Sequence, residues 1–306
     1  MKAARNLALA GCALLLAIPA AAQDGDSIIV AAQRSGAPMW TIDTPRGTII
    51  LVGEIVAVPD ATPWFPDRLE AATANASRVI LGTRPRVSPG DILRLIFRGG
   101  RFTRLPDDSV AADYLDAAQL QRLAALEQQH DQDYSRKSFL MSAFDLLAQR
   151  LRFNRDTGDD ASDIVREAAE DADIPIERAG TVRGEDMLDN LAEADPRSHI
   201  PCLEAAMTAA ETGTGIIAQR GADWRASDIP AVMANPLEIA LGRCWPWADQ
   251  EMGSELRGQW VAAITRASEA NGVTLAAVPL RVLAEQNGVL DQLAASGMDI
   301  AGPEWR

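Results

Sequence analysis

The chain is poor in the residues that most often carry chemistry. Its 306 residues include two histidines, three cysteines and two tyrosines, and aromatics make up only 5%. With so few imidazoles and thiols, any metal site would have to draw largely on carboxylates. There is no phosphate-cradling glycine loop, no dinucleotide-binding glycine pattern and no nucleophile elbow. Positive charge is scarce too: 29 Lys and Arg stand against 43 Asp and Glu, a net charge of −14. Such a chain is repelled by nucleic acid and by anionic membrane surfaces, so neither is an expected partner. Past the N-terminus no apolar run is long enough to span a bilayer, which takes about 20 residues. No internal repeat and no low-complexity linker interrupts the chain. The apolar content of 47% is that of a folded protein rather than a disordered one.

The first residues read as a secretory signal, residues 1–22. Lys2 and Arg5 give a basic start, Leu7 to Ile18 is apolar apart from Gly11, and Ala20-Ala21-Ala22 before Gln23 supplies the small residues of a cleavage site. Cleavage between Ala22 and Gln23 removes two basic residues and no acidic one, leaving residues 23–306 still more acidic. A periplasmic or secreted protein without a transmembrane segment is expected. Leu9-Ala10-Gly11-Cys12 also fits a lipid-attachment pattern, but little apolar chain precedes Cys12 and a long run follows it. After cleavage Cys202 and Cys244 remain. In an oxidising compartment they would pair, closing a loop of roughly 40 residues for about 4 kcal/mol; two separate buried thiols are the alternative.

The hydrophobic periodicity predicts an α-rich α/β fold. Residues 39–56 read as a hairpin turning at Pro45-Arg46-Gly47, Pro63 to Ala74 as a helix, and Arg78 to Leu81 as a strand. This order suggests a crossover with parallel pairing. A helical middle section, about 88–270, follows: Ser109–Gln129 with a cap from Asp107 or Asp108, Ser135–Phe153, Asp159–Ala172 leading into Ile174-Pro175-Ile176, Asp186–Thr212, and Pro236–Ala270 broken near Cys244-Trp245-Pro246. The end returns to α/β texture, with a strand Val273–Val278, a helix Arg281–Ala295 and a last strand Met298-Asp299-Ile300. A mixed or mainly parallel sheet built from both ends of one domain, residues 23–306, is the expected architecture.

Two short motifs carry a family resemblance. The stretch Pro38-Met39-Trp40-Thr41-Ile42, then Thr48 to Val56 with Gly53, Glu54 and Ile55, resembles the opening of the TraB/GumN family, bacterial relatives of the TIKI metalloproteases. The family places a metal-binding His where this chain has Val56. Near the C-terminus, Pro279-Leu280-Arg281-Val282-Leu283, with Gly288 six residues past Val282, resembles the second family motif, Gly-x-Gly-His-Leu. Its His position is Val282 and its first Gly is Pro279. After the strand ending at Leu81 the family carries a Glu; here it is Gly82. An Arg-Asn pair would fall near Leu256-Arg257-Gly258 and is missing in either register. The resemblance implies a TraB/GumN-like fold whose frame survives while polar residues have gone from four places.

A hydrolytic metal needs about three donor ligands and an open position, which two valines and a glycine do not supply. Neither a metal nor another cofactor is expected. The resulting reading is a catalytically inactive envelope protein with a binding or accessory role, its partner an unknown protein or small molecule. The alternative is an active metal-dependent hydrolase or protease with relocated ligands such as Glu54, His130 and Glu285. A third reading is a structural or lipid-anchored envelope protein. Glu54 shares a strand face with Val56, and Glu54 with Arg281 or Glu285 can refill the old cavity as an ion pair; a solvated Glu54 at a strand end is the plain alternative. His130 beside Asp131 and Asp133 reads as solvated polar residues at a helix end, and His199 as a helix-entry residue. Arg94, Arg98, Arg101 and Arg104 could hold an anion, or pair with local carboxylates. Trp40, Trp64, Trp245, Trp247 and Trp260 read as core.

Overall fold

The computed structural model describes residues 20–86 and 103–306. The Lys2–Ile18 signal run, Cys12, and Arg94, Arg98 and Arg101 lie outside the described residues. Helix α1 (Ala20–Ser35) runs through the expected cleavage junction, and its first residue described as buried is Ile28. A β-hairpin follows, β1 (Met39–Thr44) antiparallel to β2 (Gly47–Glu54), with Trp40 opposite Leu51. The Thr44 hydroxyl accepts from the Gly47 amide at 3.0 Å and closes the turn. β2 is buried on both faces from Ile49 to Gly53, as expected of an inner strand of a sheet covered on both sides.

Helix α2 (Pro66–Ala74) leads to β3 (Arg78–Leu81). β3 is parallel to β5 (Ile176–Arg178) on one side and to β7 (Gly272–Pro279) on the other, while β7 is parallel to β2 along its whole length. The sheet order is β1-β2-β7-β3-β5, four parallel strands with one antiparallel edge. The fold is α/β with a mainly parallel sheet drawn from both ends of the chain. Pairing differs from the simplest sequence reading in one respect: the C-terminal strand β7 inserts between β2 and β3, which therefore do not touch as neighbours. β3 and β5 are each interrupted for two residues, at Gly82-Thr83 and Ala179-Gly180, and resume as a second parallel pair, β4 (Arg84–Arg86) and β6 (Thr181–Arg183).

The helical section comprises α3 (Ala117–His130), α4 (Phe139–Phe144) continuing as a π-helix over Asp145–Leu151, α5 (Ala161–Asp171), α6 (Gly184–Glu193), α7 (Ile200–Thr212), α8 (Gly215–Arg225), α9 (Ile229–Ala234), α10 (Pro236–Arg243) and α11 (Gln250–Ala267). The cap of α3 is Asp116, which accepts from Gln119 N at 2.8 Å, and not Asp107 or Asp108. Those two adopt positive φ instead, so the helical stretch expected from Ser109 opens as a single 3-10 turn. The expected Asp186–Thr212 helix is split where Pro196 removes a donor from the ladder.

After β7 come α12 (Leu280–Ala284) and α13 (Val289–Ala295), separated at Gly288. The expected last strand at Met298–Ile300 does not form; a single bridge joins Thr41 and Ala301. Gly302 lies against the Trp40 ring and Trp40 Nε1 donates to Pro303 O at 2.9 Å, so the chain turns away before a ladder can grow.

Two main apolar cores result. One packs both faces of the sheet and includes Trp40, Ile50, Leu51, Leu275, Val278, Val282 and Trp260. The other lies among the helices around Phe139, Leu146, Leu203, Met207 and Leu237. Cys202 and Cys244 are buried in this second core and are joined by a disulfide, S–S 2.02 Å and Cα–Cα 4.6 Å.

Candidate functional site

Four parallel strands expose one carboxyl edge, where open α/β sheets usually bind ligands. The strand order places the family-like motif positions along it. Glu54 ends β2 opposite Pro279 at the end of β7, and Gly53 lies opposite Val278. Gly82 follows β3 on the other side of β7.

The two frame glycines are held by close packing. A Cβ on Gly53 would come within 2.8 Å of Leu280 Cδ1 and 3.0 Å of Trp40 Cζ3. A Cβ on Gly288 would meet the carbonyl oxygens of Glu285 and Leu283 at 2.7 Å. Gly82 is different: among the described residues nothing lies within 4 Å of where its Cβ would sit. That open space belongs to a cavity of about 260 Å³ lined by Gly82, Thr83, Val182, Met187, Pro246, Trp247, Met252, Leu256, Trp260 and Pro279.

Local sequence explains the walls. Met252, Leu256 and Trp260 recur every four residues on α11, so they share one helix face, and all three are buried. On the next ridge Gln259 reaches the break in the sheet. It accepts from Thr83 Oγ1 at 2.8 Å and donates to Thr181 O at 3.4 Å. Asp249 caps α11 by accepting from Met252 N at 2.8 Å and accepts from Asn190 Nδ2 at 3.2 Å, while Asn190 Oδ1 accepts from Trp245 Nε1 at 2.9 Å. These bonds fix the segment that carries Pro246 and Trp247, and the disulfide at Cys244 anchors its start.

The β2 end of the same edge is charged. Partly buried Glu54 accepts from Ser162 N at 2.9 Å, at the start of α5. Burial lifts its carboxyl to about 7, with Asp160 and Asp163 adding repulsion against the stabilising bond to Ser162. Asp160 accepts from Ala57 N at 2.8 Å, and burial raises its pKa as well. On α8, Arg220 is 1% exposed, donates to Val56 O, and lies 3.5 Å from Glu238 Oε2. Trp224, one turn on, donates to Gly53 O at 2.8 Å. Glu238 is shared: Arg281 Nε lies 3.3 Å from its Oε1, and Arg281 Nη2 donates to its backbone oxygen at 2.6 Å.

The motif positions divide accordingly. Gly82 and Pro279 line the cavity. Val56 does not: its carbonyl is held by Arg220 and its side chain is 54% exposed. Val282 is 1% exposed within the sheet core and also does not line the cavity. The pair expected between Glu54 and Arg281 is absent among the described ion pairs, because Glu54 is taken by Ser162 and Arg281 by Glu238. Glu285 instead meets Arg257 at 3.2 Å. Trp40 is core as expected, whereas Trp247 and Trp260 also face the cavity. His199 closes a 3-10 turn before α7, and His130 ends α3 with a buried Nε2 that lacks a hydrogen-bond partner. Arg104 is exposed and bridges to Lys137 through the backbone.

Sequence reasoning missed Arg220. Ile216, Arg220 and Trp224 are spaced by four and all buried, so an arginine inside an apolar helical stripe was the available signal.

The donor set does not fit a metal. Val56, Gly82 and Val282 present no nitrogen, sulfur or carboxylate oxygen. Among the described residues no group of three His, Cys, Asp or Glu is placed to hold one. Nor is any helix among them long and apolar enough to cross a membrane. No curated protein and no solved structure matches the chain. A family model, described as the TraB/PrgY/gumN family, matches residues 38–301. The chain belongs to the TraB/PrgY/gumN family.

Proposed function

We propose that this chain is a non-catalytic member of its family, working in the periplasm as a binding or accessory protein after its signal segment is removed. One observation carries the reading. The positions that a metal-dependent relative would fill with donors hold Val56, Gly82 and Val282, and Gly82, together with Pro279, lines an apolar cavity at the sheet's carboxyl edge. Among the described residues a hydrolytic water has nothing there to lower its pKa, and no base lines the cavity. An apolar crevice excludes water and suits binding instead. The acidic surface and the disulfide between Cys202 and Cys244 suit an oxidising compartment.

The test is a peptidase assay on the purified chain with manganese or cobalt added, against the same assay with a chelator. No chelator-sensitive turnover is expected. Turnover that the chelator abolishes would overturn the reading in favour of a hydrolase with relocated ligands. Intact mass of the protein exported from cells locates the processing point. Loss of residues 1–22 is expected, whereas an acylated Cys12 would make it a lipid-anchored protein.

A further inference from the structure

We propose that the cavity beside Gly82 is a binding site for an uncharged single- or fused-ring aromatic molecule carrying one hydrogen-bond donor, of the size of indole or phenol. This rests on the binding reading above and names its ligand class. Volume sets the size: about 260 Å³ lies just below the roughly 300–1,000 Å³ of drug-sized ligand sites.

The walls set the chemistry. Among the described residues no charged side chain lines the cavity, so an ionised ligand would lose its hydration without compensation there. Trp247 and Trp260 supply ring faces and edges, and Met187 and Met252 supply thioethers. Both favour an aromatic guest over an aliphatic one of equal size. Thr83 is the single side-chain hydroxyl in the lining among the described residues. Its proton goes to Gln259 Oε1, so its oxygen accepts, and the matching ligand group is an N–H or O–H.

The site is also built to stay open. Gln259 and the Asp249–Asn190–Trp245 bonds hold its two sides on separate elements. Gly82 keeps the floor clear where any larger residue would fill it, and no packing demand explains a glycine at that position.

The experiment is calorimetric titration of the full chain with indole, with benzoate as the charged counterpart, together with methyl NMR of methionine-labelled protein. One indole per chain with Kd below about 1 mM is expected, and no saturable heat from benzoate. The Met187 and Met252 methyls should shift while Met207, in the helical core, stays in place. Gly82→Leu, whose side chain enters the empty space, should weaken indole binding by roughly tenfold or more without lowering the melting temperature. If Gly82→Leu misfolds, the methyl shifts on the unaltered chain decide alone. The proposal is overturned by no saturable indole binding, by binding that leaves Met187 and Met252 unmoved, by binding that survives in folded Gly82→Leu, or by benzoate binding equally well. Failure here leaves the peptidase result untouched, and chelator-sensitive peptidase activity would sink the non-catalytic reading while leaving the indole result standing.

Discussion

Two neighbouring stretches of one sheet edge have been finished in opposite ways. Beyond β2, Glu54, Asp160, Arg220, Glu238 and Arg281 fill the space with charge, and each is tied to a backbone group or an opposite charge. Beyond β3 and β7 lies a cavity of about 260 Å³ walled with hydrocarbon and rings. One half is locked by ionic contacts, while the other keeps an apolar cavity whose walls are pinned separately, by Gln259 and by the Asp249–Asn190–Trp245 bonds.

The comparison breaks most severely at Glu238. Glu238→Ala strands the buried guanidinium of Arg220 and frees Arg281, and should cost about 4 kcal/mol in chemical denaturation. A loss under about 1 kcal/mol would show the cluster to be incidental. Next come the two edge glycines, which should behave oppositely. Gly53→Ala pushes a methyl into Leu280 and Trp40 and should cost about 2 kcal/mol. Gly82→Ala enters open space and should change stability by less than about 0.5 kcal/mol or raise it slightly.

A pH experiment sharpens the contrast further. The Glu54 carboxyl sits at about 7 when folded against 4.5 as a free side chain. The folded state therefore holds that proton more tightly. The stability this residue contributes is fully present below about 4.5 and is lost as pH rises through 7. Glu54→Gln keeps the acceptor for Ser162 N and removes the titration. The variant should match the unaltered protein at pH 4 and exceed it by about 1–2 kcal/mol at pH 8, read from denaturation midpoints across that range. Equal stability at both pH values would mean the carboxyl is solvated after all. Gly82→Ala should show no such pH dependence.

Much of the frame was legible from local pattern. The Met39–Val56 hairpin follows from β-branched residues flanking Pro45-Arg46-Gly47, and the break at Cys244-Trp245-Pro246 from its proline. The disulfide between Cys202 and Cys244, expected ahead of two separate thiols, is formed. What was not legible depends on contacts distant in sequence. Nothing local to β2 or β3 says that β7 will lie between them. Helix α8 escaped notice because Arg220 and Gly221 blur its apolar stripe, and α9 because six residues are too few to show a helical period. Met298–Ile300 looks like a strand by composition, yet Gly302 and Pro303 dock on Trp40 and turn it aside. At the site, spacing against the family motifs singles out Val56, Gly82 and Val282, but nothing in it reveals the cavity. Its walls come from β3, β6, α6, the Pro246-Trp247 segment, α11 and β7, and only the stripe Met252, Leu256, Trp260 hinted at a shared face.

The central claim is that the family scaffold persists here without a metal centre. Native mass spectrometry of the full chain, after incubation with equimolar zinc, manganese or cobalt and buffer exchange, tests it most directly. The account predicts the mass of the bare polypeptide for all three ions. One ion retained per chain, removed by a chelator, would contradict it.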